Sequence, residues 1–66
     1  MQAFQQRVVE EQTDLSGKID RLRGFLEHNE MFLRLSTDEQ ERMKLQLQHM
    51  LHYHDVLCQR IAAFGD

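Results

Sequence analysis

The stretch MKLQLQHMLHYHDVLCQRIAAF, residues 43–64, decides the fold. Its apolar positions step by four and three without a break: Met43, Leu47, Met50, Leu57, Ile61 and Phe64, with His54 on the same line. That period is a helix with one buried stripe. Such a stripe has to be pressed against another helix. His54 is the exceptional rung, an imidazole where a core side chain belongs. Leu51 and Cys58 lie beside the Leu47–His54–Ile61 line and widen it, so the stripe is expected to touch more than one neighbour.

Toward the N-terminus, Ser36-Thr37-Asp38-Glu39-Gln40 announces the start of this helix. Ser36 with Glu39, or Thr37 with Gln40, has capping-box spacing, and acidic residues fill the first turn. Residues 28–36 read as a corner. Asn29 is a reasonable helix stop, and Met31, Phe32, Leu33 and Leu35 are expected to fold back over the open end. Before the corner, a first helix spans about residues 2–27. Its stripe is Val8, Leu15, Ile19, Leu22 and Leu26, with Phe4 at the entrance. One turn, at Glu11 and Gln12, is polar where the stripe calls for an apolar side chain. A wet or ligand-facing stretch and a merely solvated turn both fit that pattern. The second helix runs over about residues 37–63. The expected fold is all-α: residues 1–66 form one domain, a two-helix antiparallel hairpin.

A 66-residue chain has little room for a core of its own. Domains of this size bury only about 60% of their unfolded surface and rely on disulfides, metals or oligomerisation. Cys58 is the one cysteine, so no intrachain disulfide can form and a reducing compartment is natural. A symmetric homo-oligomer of hairpins is therefore expected. The net charge of -3 argues against a polynucleotide partner, which needs many unopposed cations. A small anionic ligand needs only two or three. No signal layout opens the chain and no apolar run approaches membrane length, so an intracellular protein without a membrane partner is expected.

A second face of the first helix carries Phe4, Arg7, Glu11, Asp14, Lys18, Arg21 and Phe25, again by threes and fours. Phe4 and Lys18 stand roughly 21 Å apart along a helix. One chain cannot bring them together. Two first helices pairing antiparallel about a dyad near Glu11 would set Phe4 of one copy against Lys18 of the other. That gives an aromatic plate for a base and a cation for a phosphate, twice per dimer. The plainer reading is that these charges form surface ion pairs of little energetic weight. His54 and Cys58 are four apart and could share a metal, although a hydrogen-bonded core histidine explains His54 more simply. His28, His49 and His52 stand away from the stripe. No nucleophile has a recognisable base partner and there is no glycine-rich phosphate loop, so neither catalysis nor a cofactor is expected.

The segment Phe4-Gln-Gln-Arg7-Val8-Val9-Glu10-Glu11, followed by Leu15, Lys18, Leu22 and Phe25-Leu26, carries a resemblance. Glu41, Leu47-Gln48, Met50, Tyr53 and Leu57-Cys58-Gln59-Arg60-Ile61 extend it along the second helix. The order of these elements resembles the helical-hairpin domain family of bacteriophage anti-CBASS and Thoeris anti-defence sponges, over nearly the whole chain. The resemblance implies a protein that oligomerises, typically as a hexamer, in the cytoplasm of an infected bacterium. It implies binding of cyclic dinucleotides, and of cyclic trinucleotides in a second pocket, without cleavage. By analogy Phe4 would stack on a base and Lys18 would meet a phosphate, with Arg7 and Arg21 on the same face. Arg60 is the candidate for the trinucleotide pocket. This chain departs from the family pattern in three ways. Phe4 replaces a frequent tyrosine, His54 and Cys58 stand where small residues are expected, and the chain is short for the anti-CBASS members, so an accessory helix is expected to be missing. A structural hairpin that binds a host protein through its apolar seams and Met31-Phe32-Leu33 is the alternative.

Overall fold

The computed structural model describes residues 1–65. It contains a long helix α1 (Ala3–His28), a single-turn helix α2 (Met31–Arg34) and a second long helix α3 (Thr37–Ala62). Among the described residues there is no strand, and α1 packs against α3. The pairing runs antiparallel, because residue 4 meets residue 64 and residue 12 meets residue 54.

Local chemistry fixes each helix end. The Gln2 backbone N–H donates to Gln5 Oε1 at 2.8 Å, which satisfies a backbone donor at the start of α1. Of the two capping-box alternatives before α3, the chain uses Ser36, whose Oγ accepts from the Glu39 N–H at 3.1 Å. Asp38 and Glu39 then place negative charge where the helix dipole favours it. At the corner, Asn29 Oδ1 accepts the Met31 N–H at 2.9 Å, an Asx turn that reverses the chain. The Gln40 side-chain amide donates to the carbonyls of Phe32 at 2.8 Å and Leu35 at 3.3 Å, tying the corner to α3.

The corner departs from expectation. Phe32 is buried and meets Phe25 edge-on, with ring centroids 6.3 Å apart, and Leu35 is half-buried. Met31 and Leu33 stay exposed. Phe32 in α2 and Leu35 just past its end both turn inward, while the same single turn sends 33 outward.

The main core is thin. Val8, Leu15, Ile19 and Leu57 are buried, with Leu47, Met50, Ile61 and Phe64 packed against them. The molecule is a rod of 49 × 15 × 14 Å with a radius of gyration of 15.0 Å. A compact chain of this length would have about 11 Å. Its accessible surface is 5109 Å², against about 4,400 Å² for a compact protein of 7.9 kDa. Leu51 and Cys58 are exposed, because α1 covers only the line beside them. The hairpin by itself leaves apolar surface without a neighbour.

Candidate functional site

The two irregularities of the sequence meet each other. Gln12, in the polar turn of α1, lies 2.8 Å from His54 on α3, amide Nε2 to imidazole Nε2. An amide nitrogen can only donate, so His54 Nε2 accepts and the ring proton resides on Nδ1. That Nδ1 faces Cys58 Sγ at 3.7 Å. Within the polar turn Gln12 thus answers the histidine in the seam, while Glu11 is exposed. Replacing Gln12 alone with leucine should cost about 1 kcal/mol, since it leaves a part-buried imidazole nitrogen without its partner. Replacing Gln12 and His54 together with leucine should cost less than the sum. A double-mutant cycle by urea denaturation checks this, and strict additivity would mean that the link contributes nothing.

Immediately beside this link, α1 and α3 form a shallow hollow of about 400 Å³ lined by Arg7, Glu10, Glu11, Asp14, Leu15, Lys18 and Tyr53. Leu15 is its apolar floor and Tyr53, 44% exposed, its aromatic wall. Among the described residues the ion pairs are Glu39–Arg42 and Glu41–Lys44, and His28 Nε2 lies 3.7 Å from the Glu27 carboxylate, all on the surface. Arg7 and Lys18 take part in none of them. Their side chains are exposed and free to receive an anion, although three carboxylates share the hollow with them.

The remaining candidates lie elsewhere. Phe4 is half-exposed near the N-terminal end of α1, edge-on to Phe64 with centroids 6.3 Å apart. Arg21 lines a second hollow at the corner, with Gly24, Phe25, His28, Met31 and Arg34. A Cβ built at Gly24 would meet nothing within 4 Å, so no backbone of the same chain approaches it. Arg60 is exposed on α3 and lines neither hollow. A single hairpin therefore unites Arg7 with Lys18, and leaves Phe4, Arg21 and Arg60 apart. Tyr53, which in the sequence carries only part of the family resemblance, is the lining residue that sequence reasoning did not assign to a site. It stands three after Met50 and four before Leu57, so the ladder itself puts it on the flank of the seam.

His54 and Cys58 are adjacent, but the described residues gather no group of three or more histidine, cysteine or acidic ligands around a common point. No described helix is long and apolar enough to cross a membrane. No curated protein and no solved structure matches the chain significantly. Residues 2–63, nearly all of the hairpin, do match a protein family, and the chain belongs to it: the Sequestin family.

Proposed function

We propose that this protein is a phage anti-defence sponge that binds cyclic di- and trinucleotide immune messengers and sequesters them without cleaving them. It acts as a symmetric homo-oligomer, typically a hexamer, in the cytoplasm of the infected bacterium. Membership of a family whose name denotes sequestration supports the first part. The observation that carries the ligand class is the α1–α3 hollow, where Arg7 and Lys18, without ion pairs to other described residues, flank the exposed ring of Tyr53.

In this reading the first helices of two copies pair antiparallel about a dyad near Glu11. Phe4 of one copy then faces Lys18 of the other, a base-stacking plate against a phosphate-binding ammonium. The same pairing sets Arg7 of one copy one residue from the level of Asp14 of the other. That contact answers a carboxylate of the hollow and leaves Lys18 for the ligand. Arg60 on α3 is assigned to a separate trinucleotide pocket. A base stacked on an aromatic ring is stabilised by about 1–3 kcal/mol, and cyclic ligands hold two or three bases in fixed relation. In this reading the messenger is bound and released unchanged.

A thermal-shift screen against cyclic di- and trinucleotides, with linear dinucleotides as controls, tests the proposal. Ligand at 100 times its dissociation constant stabilises the native state by about 2.7 kcal/mol. For a domain of this size that is a rise of roughly 10 °C or more. Cyclic ligands alone should produce it. The exposed Met31 and Leu33 at the corner favour the second reading, a hairpin that docks on a host protein, which predicts no shift with any nucleotide.

A further inference from the structure

Apart from its histidines, the chain carries its aromatic rings on Phe4, Phe25, Phe32, Phe64 and Tyr53. The phenylalanines pair edge-on with each other, Phe4 with Phe64 and Phe25 with Phe32. Among the described residues Tyr53 is the one ring left without a ring partner. Aromatic rings normally bury their faces in a core or an interface. Tyr53 instead stays 44% exposed and walls the hollow that holds Lys18.

The register of the two helices fixes its height on the hairpin. Gln12 meets His54 and the helices run antiparallel, so Tyr53 stands level with residue 13 of α1. Lys18 is five residues further along α1, about 7.5 Å at 1.5 Å per residue. In the antiparallel pairing of first helices proposed above, Phe4 of a second copy stands level with Lys18. The heights of the two rings then differ by about 7.5 Å along the helix axis. A flat base between two plates needs contact on both faces, about 3.5–4.0 Å each, or about 7–8 Å in all. The gap fits one base.

We infer that Tyr53 is a second stacking plate, so that one base of a bound cyclic dinucleotide lies between Tyr53 of one copy and Phe4 of the other. The inference rests on the sponge reading and its pairing of first helices, and adds to them a binding residue on α3. Each side chain of the hollow then has its own part of the ligand. Leu15 is the apolar floor, Lys18 meets the phosphate and Tyr53 takes the base. Capture depends on the α1–α3 register and not on α1 alone, because the ligand touches both helices of one hairpin. Two rings sense the area of a base and not its hydrogen-bonding edges. Purines, with the larger faces, are therefore held more tightly than pyrimidines.

Tyr53 is the only tyrosine and the chain has no tryptophan, so tyrosine emission reports on this ring alone. The test titrates the full chain with cyclic di-AMP, cyclic di-GMP and cyclic di-UMP, reading calorimetric heat and tyrosine fluorescence, with N-acetyltyrosinamide correcting for absorption by the nucleotide. The purine ligands should quench the emission as they bind, and cyclic di-UMP should bind more weakly. Tyr53→Leu should weaken purine binding by about 5- to 150-fold, the effect of removing one stacking ring. Its melting temperature without ligand should stay near the wild-type value, since the ring is exposed. Tyr53→Phe should keep the wild-type affinity, because the ring and not the hydroxyl does the stacking. Heat without quenching, or an unchanged dissociation constant in Tyr53→Leu, overturns the inference and leaves the sponge reading standing. No heat with any of the three ligands brings down both.

Discussion

Lys18→Ala should weaken capture of a cyclic dinucleotide by roughly 30-fold to several thousand-fold, the equivalent of about 2–5 kcal/mol for truncating one partner of a buried charge pair. Lys18 lies in the hollow with Arg7 and Tyr53 and forms no ion pair with another described residue. Its ammonium is therefore available for a phosphate, and its removal breaks no ion pair among the described residues. The three neighbouring carboxylates make the loss larger, because without Lys18 a phosphate would face Glu10, Glu11 and Asp14 with Arg7 alone to offset them. Assembly and melting temperature should stay at wild-type values, since the side chain is exposed. Lys18→Arg should retain part of the affinity. Isothermal titration at fixed salt reads the change, and an unaltered dissociation constant in Lys18→Ala would remove this residue from the site.

Leu57→Ala should be the most damaging single truncation in the chain. Leu57 is 1% exposed and, among the described residues, the only side chain of the α1–α3 core that is fully enclosed. Leucine-to-alanine changes at such positions cost about 2–5 kcal/mol, as lost transfer energy plus a cavity. A protein of this length has a total stability on the order of 3–10 kcal/mol. The variant should melt at least about 10 °C lower, or be unfolded at low concentration. Leu33→Ala, at a position 76% exposed, is the control and should change stability by less than about 0.5 kcal/mol. Equal melting temperatures for the two variants would show that the seam does not hold the hairpin together.

The seam was legible because period alone determines it. Met43, Leu47, Met50, His54, Leu57, Ile61 and Phe64 are all buried or half-buried. Ser36 as the cap of α3 was legible as one of two alternatives, because capping depends on residues three apart. What escaped was long-range. Gln12 and His54 are 42 residues apart, and nothing in either helix alone shows that a polar turn and a polar rung lie at one level. Tyr53 belongs to the hollow only once the antiparallel register is known, for the same reason. Met31 and Leu33 were expected to turn inward on hydrophobicity, but a single helical turn cannot bury all its sides. The pairing of Phe4 with Lys18 lies beyond one hairpin altogether, since α1 holds them about 21 Å apart.

Sequestration makes a claim that separates it from both hydrolysis and indifference: the ligand is held and comes back whole. The direct measurement is to mix the purified protein with a cyclic dinucleotide, remove free ligand by filtration, denature the retained protein and identify what is released by mass spectrometry. The account predicts retention in proportion to protein and release of the intact cyclic molecule. Release of a linear or shortened nucleotide, or no retention at all, would contradict it.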